Sequence, residues 1–132
     1  MKDLKHMYYF EKLMDDANNE LVRKAKDAGR KCIGDTCFQI PEVLPNLEGC
    51  FGVHLRAPRT GSMEMATYYM TSLLCEYTRA LLERALEGGY QFLDCLLTPD
   101  GCSMLNRCVE NMELLKINQN PDFFYKYLEV PR

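Results

Sequence analysis

The sequence predicts an α/β fold, a three-layer sandwich around a mainly parallel four-stranded sheet of the flavodoxin or Rossmann type. Apolar segments short enough for strands alternate along the chain with segments whose apolar residues recur every three or four positions, which is the spacing of a helix. Strands that alternate with helices favour a parallel sheet covered on both faces. The length of 132 residues predicts one domain over residues 1–132 with its own core.

The first predicted element is a long helix over residues 3–28. Gly29 stands where such a helix commonly ends. The helical stripe consists of Met7, Phe10, Met14, Ala17, Leu21, Ala25 and Ala28. This stripe either binds a partner or faces the core, and the core-facing role is the expected one.

Two short strands are predicted next, over residues 31–36 and 50–58. The second is rich in aromatic and branched residues and is stopped by a proline. Between them, Pro41 predicts the start of one or two helical turns that end before Gly49. Residues 59–62 are expected to form a turn or loop.

Two helices follow, a short one over residues 63–70 and a longer one capped by Ser72. The longer helix presents an apolar face and ends at Gly88 and Gly89. That face consists of Leu74, Tyr77, Leu81 and Ala85.

The last predicted unit is a buried strand over residues 90–98, a helix and a final strand over residues 123–130. The strand at 90–98 is almost continuously apolar, as in a parallel sheet. Asp100 is the expected cap of the helix. Its buried face is predicted to contain Leu105, Val109 and Met112.

Composition excludes several classes of function. The net charge is −3 and the basic residues are scattered, so no nucleic-acid footprint is present. No apolar run approaches the roughly 18 residues of a membrane span, and the charged N-terminus does not resemble a secretory signal. The sequence also lacks a glycine-rich phosphate loop and a nucleophile elbow. A cytoplasmic location is therefore expected.

The seven cysteines are the main candidates for chemistry. An odd number without an export signal predicts reduced thiols, which leaves packing, catalysis and metal binding as uses. Packing is expected for Cys32, Cys50, Cys95 and Cys108. Cys37 follows a strand and remains ambiguous. Of the two histidines, His6 is expected in solvent and His54 packed on a strand.

Cys75 and Cys102 are placed differently from the other thiols. Each is predicted in the first turn of a helix, and Cys102 also follows the strand at 90–98. In parallel α/β sheets, sites form beyond the carboxyl ends of the strands. A helix N-terminus favours the thiolate that a metal needs. These two cysteines are therefore the candidate ligands or nucleophiles.

Three segments, in this order, resemble the 2-hydroxyacyl-CoA dehydratase D-component family, which includes 2-hydroxyglutaryl-CoA dehydratase and benzoyl-CoA reductase subunits. The segments are "CFQIPEVL", "GSMEMATYYMTSLLCEYTRALLERALEGGYQFLDCLLTPDGCSMLNR" and "FFYKYLEVPR". Their shared features are a Pro-Glu turn, a Cys-x-x-x-Arg helix start at Cys75 and Arg79, and a Tyr-x-Phe-Leu-Asp strand. A Thr-Pro-x-x-Cys helix start at Cys102 and a closing Leu-x-Val-Pro-Arg complete the set. The resemblance covers residues 31–132.

The resemblance implies a [4Fe-4S] cluster held by three cysteines, with one iron open to substrate. Cys75 and Cys102 match the first two ligands. The third ligand is supplied in the family by the C-terminal half of a much longer chain, and Cys37 is a poor substitute for it. The chain is therefore expected to be the N-terminal lobe of a longer protein and to be incomplete and inactive alone.

The resemblance also implies a reaction and partners. An ATP-dependent activator protein supplies one electron, which the cluster passes to the acyl-CoA thioester carbonyl. The resulting ketyl radical anion expels the 2- or 3-position oxygen, and the net result is removal of water from a 2-hydroxyacyl-CoA to give an enoyl-CoA. The implied partners are the missing C-terminal lobe, a homologous second subunit, the activator and the acyl-CoA. A benzoyl-CoA reductase-type lobe uses the same electron delivery on an aromatic ring.

Other readings remain open at this stage. The chain fits a non-catalytic α/β module that binds a partner or CoA, or a flavodoxin-like electron carrier. Self-association is expected as well, because eight tyrosines and eight methionines are many for a small chain and such residues are enriched at interfaces. No nucleic-acid or membrane partner is expected.

Overall fold

A computed structural model of the chain describes residues 2–57 and 62–131. Helices and strands alternate as the sequence predicts. In chain order the elements are α1 (Lys2–Met14), α2 (Glu20–Asp27), β1 (Lys31–Asp35), β2 (Cys50–His54), α3 (Glu64–Tyr69), α4 (Glu76–Leu86), β3 (Cys95–Pro99), α5 (Ser103–Leu114) and β4 (Phe124–Leu128). The loop predicted at 59–62 falls largely outside the described residues.

The four strands form a parallel sheet in the order β2-β1-β3-β4. This confirms the predicted α/β fold. The chain goes from β1 to β2 on one side and then crosses over to β3 on the other side. The strand order therefore reverses between β1 and β3, which is where open α/β sheets bind ligands, at the carboxyl edge.

The core lies between one face of the sheet and the helices α4 and α5. The face contributes Cys32, Phe51 and Leu96, and each is at most 8% exposed. The helices contribute Leu81, Leu82, Leu105, Cys108, Val109 and Met112. Burying each of the larger side chains contributes about 1.5–3 kcal/mol. The predicted buried face of α5 is confirmed.

Asp94 ties α2 to the starts of β1 and β3. Its Oδ2 atom accepts hydrogen bonds from the Cys32 N–H at 2.8 Å and from Lys26 Nζ at 3.2 Å. Burial opposes the charged carboxylate, but these two partners outweigh it and lower the pKa of Asp94. The last residue of the "YQFLD" segment is thus an ionised anchor of the sheet.

The single helix predicted over 3–28 is wrong, because residues 15–19 divide it into α1 and α2. Asn19 caps α2, and its Oδ1 atom accepts the N–H groups of Leu21 and Val22 at 3.0 and 3.2 Å. Asp16 Oδ1 accepts the N–H of Asn18 at 3.0 Å. Short polar side chains compete in this way with helical hydrogen bonds. The predicted end at Gly29 is confirmed by its φ of 79°.

The expectation that this first segment faces the core is wrong for α1. Large apolar side chains of α1 are more than half exposed, namely Leu4, Met7, Tyr8, Phe10 and Met14. Only α2 reaches the core, through Val22. The apolar stripe of α1 is therefore a surface of the described protein.

The helical turns predicted after Pro41 are replaced by a series of turns over residues 41–49. Pro45, four residues after the predicted start, lacks the N–H group that an interior helical position donates. Pro45 packs against β2, where a Cβ atom added to Gly52 would lie 2.9 Å from the Pro45 Cβ. Gly52 faces away from Phe51, so this segment covers the sheet face opposite the core.

Two predicted strand boundaries move substantially. The strand predicted over 50–58 ends at His54, and the strand predicted from residue 90 begins at Cys95. Residues 90–94 form turns instead, and the side-chain amide of Asn118 donates to the carbonyls of Tyr90 and Leu93. A side chain distant in sequence therefore takes backbone groups that a longer strand would use.

The predicted caps Ser72 and Asp100 are wrong. Leu74 N donates to Thr71 O at 3.1 Å, so a turn separates α3 from α4 and the helix starts later. Asp100 N donates to Leu128 O at 2.8 Å, which holds Asp100 beside β4 rather than at the helix start. Cys75 and Cys102 occupy the N-cap positions of α4 and α5 instead.

Candidate functional site

Cys102 lies at the carboxyl end of β3 and is the N-cap of α5. The cap residue has extended backbone angles, with φ −131° and ψ 112°, and its side chain makes no capping hydrogen bond. Its carbonyl accepts from Asn106 N at 2.9 Å, so the backbone is fixed while the exposed thiol has no partner among the described residues. Cys102 is therefore one residue before the first turn in which the sequence placed it.

Cys75 repeats this arrangement at the start of α4. It is the N-cap, its side chain makes no capping hydrogen bond, and its thiol is exposed. Its carbonyl accepts from Arg79 N at 3.2 Å and from Thr78 Oγ1 at 2.8 Å. N-cap positions favour Ser, Thr, Asp or Asn, whose oxygens bind the first N–H groups. Two cysteines in this position leave two thiols beside positive helix ends.

Tyr77 connects the start of α4 to the sheet. Its hydroxyl group lies 2.9 Å from Leu55 O and 3.3 Å from Thr36 O, the carbonyls that follow β2 and β1. Burial, together with the smaller effect of the nearby acidic groups of Asp35, Cys37, Cys108 and Cys75, raises the pKa of Tyr77 to about 12. The phenol is thus neutral, and it places Cys75 at the edge formed by the ends of β1 and β2.

The ends of β1 and β3 are joined directly. The buried hydroxyls of Thr36 and Thr98 are 3.0 Å apart. Beyond them, a Cβ atom added to Gly101 would lie 2.9 Å from Gln39 Oε1. The loop that carries Cys37 and the loop that carries Cys102 therefore approach each other where the strand order reverses.

Three thiols are buried in the core. Burial raises the pKa of Cys108 to about 12, and its sulfur donates to Thr78 O at 3.2 Å. Burial also raises the pKa of Cys32 to about 12 and that of Cys95 to about 11. Packing is confirmed for these three residues, whereas Cys50 is half-buried.

Cys37 is also half-buried, at the end of β1. Within residues 2–57 and 62–131, no three His, Cys, Asp or Glu side chains converge as metal ligands. Cys37, Cys75 and Cys102 thus share an edge of the sheet without forming a ligand triad. The described residues therefore include two exposed thiols, Cys75 and Cys102, but not the three ligands that the family resemblance implies for a cluster.

The sequence analysis missed a paired histidine at the same edge. Asp35 and His54 end neighbouring strands and are partners in register. His54 Nδ1 lies 2.6 Å from Asp35 Oδ1, and the ring stacks on Phe38 with centroids 4.1 Å apart. His54 is half-buried, as expected. An Asp and a His at the ends of adjacent strands were the signal available in the sequence.

A buried carboxylate was also missed. Glu83 is 5% exposed, and its Oε2 atom accepts the N–H of Ala66 in the first turn of α3 at 2.7 Å. Arg79 reaches the same helix, with Nη1 3.4 Å from Thr67 Oγ1. The arginine of the Cys-x-x-x-Arg pattern therefore packs α4 against α3, behind Cys75.

The chain is similar in sequence to known dehydratase subunits. Residues 37–131 match the sequence model described as 2-hydroxyglutaryl-CoA dehydratase, D-component. The chain is also 25% identical, over 105 residues, to the (R)-phenyllactyl-CoA dehydratase beta subunit of Clostridium sporogenes. The aligned residues are 80% of this chain and 28% of that relative, so the chain spans little more than a quarter of the relative's length.

No helix among the described residues is both long and apolar enough to span a bilayer.

Proposed function

Since this chain belongs to the 2-hydroxyglutaryl-CoA dehydratase D-component family, we propose that it is the lobe of a 2-hydroxyacyl-CoA dehydratase that supplies two cysteine ligands, Cys75 and Cys102, to a [4Fe-4S] cluster. The complete enzyme is then a cytoplasmic lyase that removes water from a 2-hydroxyacyl-CoA. The lobe alone is inactive.

The observation that carries this proposal is the contrast among the thiols. Of the seven cysteines, only Cys75 and Cys102 are both exposed and at a helix N-cap. Each lies in a segment of the family match, and the sheet brings both to one edge. Thiolates are the standard ligands of iron–sulfur clusters, and helix N-termini favour negative charge.

When bound, a cluster of this kind supplies one-electron chemistry to the substrate. The chain's own residues would position the two cysteine ligands of the cluster. Tyr77 fixes α4 and with it Cys75, and the approach of Gly101 to Gln39 keeps the loop of Cys102 close to β1. The thiols of Cys32, Cys95 and Cys108 are buried and do not compete as ligands.

Completion of the site requires partners. We propose that a third thiolate comes from a further α/β lobe, that a homologous subunit pairs with the complete chain, and that an ATP-dependent activator supplies the electron. The relative named a beta subunit supports an assembly of more than one kind of chain.

A test is anaerobic reconstitution of the chain joined to or co-expressed with the remaining portion of its dehydratase relative. Iron, sulfide and the absorbance of the sulfur-to-iron bands are measured. We expect a brown protein, with the bound iron lost in Cys75→Ser and in Cys102→Ser. Cys37→Ser is the matched control and is expected to retain the cluster.

The proposal fails if the assembled protein takes up no iron, or if the Cys75 and Cys102 variants retain as much as the control. The alternative is a non-catalytic α/β module that binds a partner or CoA. It is favoured by one observation: no three potential ligands converge in the described residues. That alternative predicts CoA or partner binding unchanged by serine at both positions. A benzoyl-CoA reductase-type lobe would bind the same cluster and act on an aromatic thioester.

A further inference from the structure

A groove of about 550 Å³ runs between α1, α2 and the outer strand β2. We propose that this groove binds an amphipathic organic anion, a soluble carboxylic acid with an extended apolar chain. None of the cysteines lines it, so the inference is independent of the proposed function.

The walls of the groove are apolar. Residues of three elements line it, namely Phe10, Leu13 and Met14 of α1, Leu21, Val22 and Ala25 of α2, and Phe51 and Val53 of β2. Phe10 and Met14 are 59% and 54% exposed, so an occupant would cover apolar surface that the described protein leaves in water. Covering such surface is favourable by about 25 cal/mol per Å².

The charges along the groove are predominantly positive. Arg30 and Arg56 line it and are exposed, and no carboxylate of a described residue pairs with either one. The one acidic residue of the lining, Asp16, is bound to Arg84 at 3.0 Å. The His54 ring in the lining already has a partner, since its Nδ1 lies 2.6 Å from Asp35 Oδ1. Arg56 is therefore available to an anionic ligand, and Arg30, which donates to Cys50 O and lies 5.5 Å from the Phe51 ring centroid, keeps further N–H donors for the same ligand. Guanidinium groups favour carboxylates.

The edge of β2 is poorly suited to a peptide strand. Leu55 N donates to Asp35 O, so Gly52 and Cys50 direct their backbone groups outwards, away from β1. Asn46 Oδ1 accepts the N–H of Gly52 at 3.0 Å, and Arg30 donates to Cys50 O. An added strand needs those groups unpaired. A small molecule needs only the apolar walls and the guanidinium groups.

Dodecanoate is a suitable probe, because a chain of roughly twelve carbons fits a groove of this volume. Binding to the full chain is measured by isothermal titration calorimetry below the critical micelle concentration. Dodecyltrimethylammonium, with the same chain and the opposite charge, and acetate, with the same charge and no chain, are the controls. We expect saturable binding of dodecanoate at one site and none of either control.

Two variants test the location. Arg56→Gln removes a guanidinium group and should weaken dodecanoate about ten-fold, whereas Arg107→Gln, on α5 and 61% exposed, should not change it. Phe10→Ala should weaken it by a similar factor, and Leu114→Ala, 77% exposed at the end of α5, is its matched control. Far-UV circular dichroism of each variant checks that the fold is retained.

Equal binding of the cationic amphiphile would overturn the proposal, and so would affinities unchanged by both Arg56→Gln and Phe10→Ala. Anionic phosphatidylglycerol vesicles distinguish a membrane surface from a soluble acid. Co-sedimentation with these vesicles without binding of dodecanoate would assign the groove to a lipid bilayer and reject the soluble ligand. The ligand series on the unaltered protein decides the matter even if a variant fails to fold.

Discussion

The interior of the sheet and the surface around it contain the same residue types in opposite surroundings. Cys108 is buried on α5, and Cys102 caps the same helix in solvent. Leu82 is 0% exposed on α4, whereas Leu114 is 77% exposed on α5. Asp94 receives a backbone N–H, while Glu110 makes only a surface ion pair. Location therefore decides which of two identical side chains stabilises the fold and which is available for binding.

The largest expected difference is in thiol reactivity. Under native conditions Cys102 and Cys75 should react with iodoacetamide, whereas Cys108 should react only when the fold opens. Burial, which raises the pKa of Cys108 to about 12, disfavours its reactive thiolate. The expected rate ratio of Cys102 to Cys108 is about 10³ or more, measured by mass spectrometry of the peptides over time. Comparable rates for these two thiols would contradict the assignment of core and edge.

The next difference is in packing. Leu82→Ala should lower the free energy of unfolding by about 2–5 kcal/mol, because it removes a fully buried side chain and leaves a cavity. Leu114→Ala should change it by less than about 0.5 kcal/mol. Urea denaturation followed by circular dichroism measures both. A loss below about 1 kcal/mol for Leu82→Ala would show that α4 is not packed on the core as described.

The smallest difference concerns the carboxylates. Asp94→Ala should cost about 1–3 kcal/mol, since it leaves the Cys32 N–H without its acceptor, and Glu110→Ala should cost about 0.5 kcal/mol or less. The pKa of Asp94 is lowered in the folded state, so the unfolded chain binds the proton more readily. The contribution of Asp94 is therefore complete above the ordinary carboxyl pKa and is lost as the pH falls through its folded pKa.

Urea denaturation between about pH 6 and pH 2.5 tests that dependence. The stability of the unaltered protein should fall more steeply with acid than that of Asp94→Asn, and Glu110→Gln should follow the unaltered protein. If stability falls equally with acid in the unaltered protein and in Asp94→Asn, Asp94 does not contribute to the acid sensitivity.

The pattern of the sequence was sufficient to predict the parallel sheet and to predict that Cys75 and Cys102 lie at its carboxyl edge. Periodicity identified α5, and the glycines at 29 and 88 marked the helix ends, where φ is positive. The sequence did not reveal where side chains would take backbone hydrogen bonds. Asn19 divided the first helix, and Asp100 was held by β4 instead of capping α5. These partners lie two or three residues away in one case and 28 in the other.

The pairing of Asp35 with His54 was missed for a related reason. Register across two strands, rather than distance along one, brings these residues together, and a single sequence does not state register. The clustering of Cys37, Cys75 and Cys102 at one edge follows from topology. These three thiols do not converge as metal ligands in the described structure. Convergence depends on side-chain distances, which composition and spacing do not determine.

The hydroxyl of Tyr77 has one proton and two carbonyls within reach, those of Leu55 and Thr36. One side chain of α4 therefore lies within hydrogen-bond distance of the segments that follow two neighbouring strands. Cys102, by contrast, follows a strand whose next backbone N–H is locked to β4. The two edge thiols are thus fixed in different ways: Cys75 through a side chain of its own helix, and Cys102 through a backbone hydrogen bond to β4 made by Asp100, two residues before it.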